Sequence, residues 1–180
     1  FIDDESNDNT FQIAYEMITN NFNDYVIVSN RIRKYLPRNI YNAVNYLCTN
    51  SDSVIIQVDG DDFLNHSVDV FGKLDEAYNS DTVITFGSHH CINDSRGLIE
   101  YETPHDLTDV WDLAKCSFWD HLKTYKKFAF ELITIDMLRE IDSEYWIMRG
   151  EDAVIQPTIM EHYNGRVQYI QHALYIHDTS

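Results

Sequence analysis

The sequence predicts an α/β fold, and three observations carry that reading. Short β-like runs alternate with helical stretches along the chain. The apolar run Ser53 to Val58 (SVIIQV) reads as a strand buried on both faces. That strand stops in Asp59-Gly60-Asp61-Asp62, a carboxylate-rich turn at the end of a strand, where open α/β sheets bind ligands. With 180 residues the chain is one domain by length, enough to bury a core without disulfides.

The elements follow in order. Phe1-Ile2 reads as the tail of a strand, and Asn9-Thr10 as the cap of a helix with Phe11, Ala14, Tyr15, Ile18 and Phe22 on one face. Tyr25 to Ser29 (YVIVS) reads as a buried strand. Pro37 suits the first position of a helix that carries Ile40, Ala43, Val44, Leu47 and Cys48 at amphipathic spacing. After the strand at 53–58, Val68, Phe71, Leu74 and Tyr78 line a helix, and Thr82 to Phe86 (TVITF) forms the next strand. Residues 88–120 hold the turn signals Asn93-Asp94-Ser95 and Thr103-Pro104 around a short strand at Leu98 to Tyr101. Residues 128–141 read as helical. Glu151 to Tyr163 reads as a helix that Pro157 kinks or delays, and Val167 to Ile170 and Ala173 to Ile176 read as two closing strands.

Composition excludes several functions. Thirteen basic against 30 acidic residues give a net charge of −17, so a nucleic-acid partner is not expected: such affinity rests on Lys and Arg neutralising phosphates. A phosphate-ester ligand would need a divalent cation between carboxylates and phosphates. Cys48, Cys91 and Cys116 are odd in number and widely spaced, which points to neither a disulfide framework nor a zinc site and suits a reducing, cytoplasmic location. No apolar run reaches membrane-spanning length.

Four constellations could carry chemistry. In VDGDDFL (58–64), Gly60 allows a close turn, and Asp59 and Asp61 can share a hard cation; the competing reading is a capped turn. In FIDDESNDNT (1–10), a strand ends at Asp3 and Asp4, where a carboxylate can accept from a base N–H or cap a helix. Gly150-Glu151-Asp152 opens a helix, where acids are stabilised by the backbone dipole; a carboxylate there can also act as general base. In YIHDTS (175–180), His177 can ligate a metal through a neutral ring nitrogen. His66, His89, His90, His105, His162 and His172 read as structural or exposed.

Taken in order, these pieces resemble the family 2 glycosyltransferases. FIDDESNDNT resembles that family's strand ending in Asp-Asp-x-Ser. Asn30 with Pro37-Arg38-Asn39-Ile40 resembles its Asn…Ala-Arg-Asn-x-Gly-Ile segment. VDGDDFL resembles its Asp-x-Asp-Asp-x-Leu loop, Gly150-Glu151-Asp152 its Glu-Asp motif, and Tyr175 to Ser180 its closing Tyr-x-x-His segment. The resemblance implies a GT-A (Rossmann-like) fold, a mostly parallel central sheet flanked by helices. It implies a single domain over 1–180, with 1–87 as the nucleotide-sugar half and 88–180 as the acceptor half. It implies that Asp4 reads the base and that Asn30 and Arg38 line the base and ribose side. Asp59 and Asp61 would form the DxD motif, Asp61 ligating Mn²⁺ or Mg²⁺, Asp59 nearer the ribose, and His177 completing the metal site, assisted by Thr179 and Ser180. Asp152 would be the base, with Glu151 beside it. The donor would be a nucleoside-diphosphate sugar, UDP-sugar by preference, the acceptor a carbohydrate or other hydroxyl, and the transfer an in-line displacement with inversion.

Trp119 to Phe130 (WDHLKTYKKFAF) matches the stretch that precedes the Glu-Asp helix. The segment holds His121, Lys123, Lys126 and Lys127; Trp119 would stack on a sugar and the lysines would face phosphate or an acidic partner, or the segment is a solvated basic turn. The sequence also departs from the family. The opening strand ending in Pro-x-Tyr-Asn, one wall of the nucleotide pocket, has no counterpart in the chain. Arg31-Ile32-Arg33-Lys34 replaces small residues, and Tyr41 replaces a glycine. Two other readings compete: a sugar-phosphate nucleotidyltransferase, for which the Gly-rich phosphate loop is missing, and a non-catalytic binding domain of the same fold, which has no need of a base at Asp152.

Overall fold

The computed structural model describes residues 1–93, the backbone of 99–101, and residues 121–180. The expectations for Trp119, Asp94-Ser95 and Thr103-Pro104 lie outside these. The described chain is mixed α/β and divides into two compact units, each made of separate chain segments. Unit 1 is Phe1–Thr49 with Thr134–Glu151; unit 2 is Asn50–Ile133 with Asp152–Ser180. These boundaries describe compactness and do not coincide with a division at residue 87.

Unit 1 has little sheet. Strand β1 (Ile2–Asp3) pairs in parallel with β2 (Val28–Ser29) through Ile2↔Val28 and Asp3↔Ser29. The strand expected over 25–29 is thus only its last two residues, and Tyr25 and Val26 are exposed rather than buried. Helix α1 (Thr10–Asn21) forms where its apolar periodicity predicts, but none of its residues is buried. Helix α2 (Tyr35–Asn42) takes Pro37 in its first turn, where no N–H is required of it. It then widens into a π turn at Ala43–Leu47. The extra residue per turn rotates the apolar stripe, so Ile40 and Val44 are buried while Leu47 is exposed. Residues expected in one helix over 128–141 form two short 3₁₀ turns, Lys127–Leu132 and Ile135–Leu138, the first in unit 2 and the second in unit 1. Ile133 and Thr134 between them are extended, as the β-branched run Ile133-Thr134-Ile135 favours.

Unit 2 is built on a six-stranded mixed sheet. Its strands are β3 (Val54–Gln57), β4 (Phe63–Leu64), β5 (Ile84–Ile92), β6 (Ile99–Tyr101), β7 (Lys123–Lys126) and β8 (Val167–Asp178), in the order β3-β7-β5-β8-β4 with β6 on β5. Only β5 and β8 pair in parallel; β3/β7, β5/β7, β5/β6 and β4/β8 are antiparallel. The expectation of a mostly parallel sheet therefore gives way to a mixed one. The reason is β7, a Lys-rich segment with no apolar alternation, which inserts between β3 and β5 and runs against both.

The two closing strands expected after 167 are one strand with a bulge. The register with β5 jumps from Gly87↔Ile170 to His89↔Tyr175. Buried Asn65 takes up the displaced carbonyls, its N–H donating to Leu174 O (2.9 Å) and its Nδ2 to Ala173 O (2.7 Å). Gly87 allows the close approach, since a Cβ there would lie 2.7 Å from Ile170 O. Helix α3 (Val70–Tyr78) packs Val70, Leu74 and Ala77 against Leu122, Ile170, Leu174 and Tyr175. Helix α4 (Asp152–His162) buries Ile155, Ile159 and Met160, and accommodates Pro157 inside it. No helix among the described residues is long and apolar enough to cross a membrane.

Candidate functional site

Strand β3 ends at Gln57, two residues before Asp59, and the antiparallel register Gln57↔Lys123 brings the start of β7 beside that end. Strand β4 follows the loop at once and pairs with β8 through Phe63↔Ile176. One step further along that register Asp62 faces His177. The loop Asp59–Asp62 is therefore held between the beginning of β7 and the end of β8.

Asp62 is the anchor. Its buried carboxylate accepts from Tyr175 Oη (2.7 Å) and from the Asp178 N–H (2.8 Å), and lies 3.1 and 3.2 Å from His177 Nδ1. Burial would raise the Asp62 pKa, but the hydrogen bonds from Tyr175, Asp178 and His177 outweigh it and hold the carboxyl below its ordinary value. Burial, together with the carboxylate it donates to, pushes the Tyr175 hydroxyl up, so it remains a donor to Asp62. The same hydroxyl accepts the Asp59 N–H at 3.1 Å, which ties Asp59 to the knot.

Imidazoles gather over it. His121 stacks on Tyr175 (4.3 Å between centroids) and on His177 (4.7 Å), and His89 stands edge-on to His121 at 5.1 Å. Burial, reinforced by Lys123 and the neighbouring rings, pushes His121 down to about 3. Burial and His177 push His89 down to about 4. Both rings are neutral at pH 7 and keep a lone pair.

Single ligand atoms of Asp62, His121 and His177 all lie within 4.8 Å of one another. Two imidazoles and a carboxylate suit Mn²⁺ or a similar transition metal better than Mg²⁺, which prefers oxygen ligands throughout. His177 Nδ1 faces Asp62 at 3.1 and 3.2 Å, so a metal held by both residues would take the place of that contact.

Lys123 links a second pair of acids. Its buried ammonium lies 3.9 Å from Asp59 Oδ2 and 3.9 Å from Asp152 Oδ2, each carboxylate partly exposed. Asp152 opens α4 and also accepts the Ala153 N–H at 2.8 Å. A strand-end loop, a buried cation and a helix N-terminus thus share one ionic network in unit 2.

No protein-family model matches the chain, and no curated protein matches it.

Of the residues singled out from sequence, unit 2 joins Asp59, Asp152 and His177. Asp61 is exposed in the loop, and neither it nor Asp59 belongs to the group whose ligand atoms converge. Glu151 is buried. The Thr179 Oγ1 donates to Ile92 O and the Ser180 N–H to Asp178, so both close the strand end. Lys126 donates to Asp52 O and lies over the Tyr78 ring, while Lys127 pairs with Glu131. In unit 1, Asp4 accepts from Asn30 Nδ2 (2.8 Å) and from the N–H groups of Lys34 (2.9 Å) and Tyr35 (2.8 Å), and Asn30 donates also to Asn39 Oδ1. Arg38 lies over the Trp146 ring, 5.7 Å from its centroid.

Sequence reasoning gave no role to Asp62, His89 or Tyr175, and read His121 and Lys123 only as members of a basic segment. A strand alternation carried from Phe86 on to Ile92 is the signal that would have drawn attention to His89.

Proposed function

We propose that the chain is the catalytic core of a metal-assisted, inverting glycosyltransferase of GT-A type, which moves a sugar from a nucleoside-diphosphate sugar, UDP-sugar by preference, to an acceptor hydroxyl. The observation that carries this reading is the joining, in one unit, of the DxD-like loop, the helix-opening Asp152 and the strand-end His177 by Lys123, Tyr175 and Asp62. Motifs distant in sequence and resembling one family's site residues have no packing reason to share a polar network.

In this reading Asp62, His121 and His177 hold Mn²⁺, and Asp61, exposed beside them, is the remaining carboxylate of the DxD pattern. The metal, when bound, offsets the charge of the departing diphosphate. Asp152 accepts the proton of the acceptor hydroxyl as its oxygen bonds to the anomeric carbon and the bond from that carbon to the diphosphate breaks. Lys123 fixes Asp59 and Asp152 in position. A reducing, cytoplasmic setting belongs to the proposal.

A thermal-shift screen of nucleotide sugars with and without Mn²⁺ tests it. A donor at 100 times its dissociation constant stabilises by about 2.7 kcal/mol, so the true donor raises the melting temperature by several degrees only when Mn²⁺ is present. Asp152→Asn should keep that shift and lose transfer. If no nucleotide sugar moves the transition, the reading fails; if Asp152→Asn turns over at the wild-type rate, Asp152 is not the base.

A further inference from the structure

Unit 1 contains a pocket that the transfer chemistry does not use. It measures about 370 Å³ and is lined by Arg33, Arg38, Arg139, Tyr35, Tyr145 and Trp146, with Glu144 at its wall. That volume is at the lower end of the ~300–1,000 Å³ typical of small-molecule sites. We infer that this pocket binds a phosphate monoester carried on a flat or sugar ring, such as a nucleoside monophosphate or a hexose phosphate.

The charge argument comes first. The chain carries −17 overall, yet three of its seven arginines line one cavity. Among the described residues, neither Arg33 nor Arg38 forms an ion pair within the protein, and Asp136 engages Arg139 only at Nη1, at 3.2 Å. The buried Nε of Arg139 has no hydrogen-bond partner. Three guanidinium forks against the lining carboxylate of Glu144, with Asp136 also on Arg139, leave the cavity net positive and suited to the oxygens of a phosphate.

The rings come second. Tyr35 has φ +62°, a conformation rare for a bulky residue and costly unless its surroundings impose it. The surroundings do so here: Asp4 Oδ2 accepts the Tyr35 N–H at 2.8 Å. Trp146 is fixed by Arg38 over its face and by Tyr41 at its edge, 5.6 Å away. The Tyr145 side chain stands 76% exposed at the same pocket, a large hydrophobic surface left open to a ring. Glu144 adds an acceptor for hydroxyl or ring N–H groups.

The inference stands on unit 1 alone and requires neither metal nor transfer activity. The test is calorimetry in EDTA with UMP, glucose 1-phosphate, inorganic phosphate, uridine and glucose. At least one ester should bind, and at least about tenfold more tightly than its dephosphorylated partner, the loss expected when a charge-assisted hydrogen bond is removed. Which ester binds tells a nucleoside carrier from a sugar carrier. Arg38→Gln and Arg139→Gln should each weaken that binding about tenfold or more. Arg33→Gln and Tyr145→Ala change exposed residues, so they keep the fold, and each should weaken the ester. Tyr145→Ala should leave inorganic phosphate unchanged. The proposal is overturned if neither ester binds, if inorganic phosphate binds as tightly as the esters, or if Arg33→Gln and Tyr145→Ala bind the ester like wild type.

Discussion

Asp4 in unit 1 and Asp62 in unit 2 use the same device in opposite surroundings. Each carboxylate collects donors from separate chain segments, and each has its pKa lowered because hydrogen bonds outweigh burial. Asp62 sits beside a register-fixed strand pair, and its partners are a tyrosine hydroxyl, an imidazole and one backbone N–H. Asp4 collects only amide donors, from a side chain and two backbone groups. Imidazole can exchange its carboxylate contact for a metal, whereas a backbone amide offers no such exchange. Asp62 thus keeps one partner able to let go, while the partners of Asp4 all hold the local shape of the chain. The units differ in packing as well. Of the largest fully buried side chains, all but Leu138 and Pro37 belong to unit 2. Unit 1 leaves Ile13, Met17, Phe22, Ile32 and Ile141 more than half exposed.

If unit 2 is the cored unit, core truncation there gives the largest effect. Ile159 is fully buried on α4, and Ile159→Ala should cost about 2–5 kcal/mol in urea unfolding. A loss below about 1 kcal/mol would break the contrast between the units. The bulge comes next. In Gly87→Ala the new methyl meets the Ile170 carbonyl at 2.7 Å, a backbone group with no rotamer to yield. Overpacking of this kind costs about 1–3 kcal/mol. The Asp62, Tyr175 and His177 geometry lies beyond that bulge, so metal affinity measured by calorimetry should fall with stability. Unchanged affinity would show that the strand end holds the cluster without the bulge.

Asp4 offers a smaller and more local test. Its pKa in the folded chain is lowered from 3.8, first against the effect of burial and then through the N–H of Lys34, Asn39, Asn30 and the N–H of Tyr35. A depressed carboxyl contributes stability above its unfolded pKa and loses it as pH falls through the folded value. Hydrogen exchange at the Lys34 and Tyr35 amides should therefore be slow near neutral pH, relative to the intrinsic rate, and lose protection below about pH 3.8. Asp4→Asn should show reduced protection throughout and no such acid step. Equal protection in the variant would mean that the backbone, not the carboxylate, shapes the loop.

Much of unit 2 is legible in the sequence: the apolar run at 54–57, the start of the strand at 84–92 in Thr82 to Phe86, and the apolar spacing of helix 70–78 are open, and helix 152–162 falls within the expected 151–163. The loop at Asp59–Asp62 is legible for the same reason: an apolar strand stops in carboxylates. Which carboxylate turns inward is not legible, because that depends on the β4/β8 register, set by pairing more than a hundred residues away. Strand β7 is hidden because Lys123-Thr124-Tyr125-Lys126 has no apolar alternation, although Lys123, Thr124 and Tyr125 are all buried. With it go Lys123, which links Asp59 to Asp152, and His121, which stacks on Tyr175 and His177. In unit 1, Asp4 and Asn30 announce themselves as polar residues at strand ends. That they satisfy each other follows only from the β1/β2 pairing that sets them side by side.

The smallest predicted effect is the sharpest check on the contrast between the units. Helix α1 has Phe11, Ala14, Tyr15, Ile18 and Phe22 at packing spacing, yet buries none of its residues, and off that face Ile13 is 56% and Met17 62% exposed. An exposed side chain has already lost most of what burial would give, so Ile13→Ala should change stability by no more than about 0.5 kcal/mol. Replacement by alanine also favours the helix slightly, through propensity, which pulls the value towards zero. Urea unfolding of Ile13→Ala and Ile159→Ala under the same conditions puts the two units on one scale. A cost of about 2 kcal/mol at Ile13 would mean that this face is covered in solution. The difference between the units would then be one of partners rather than of packing.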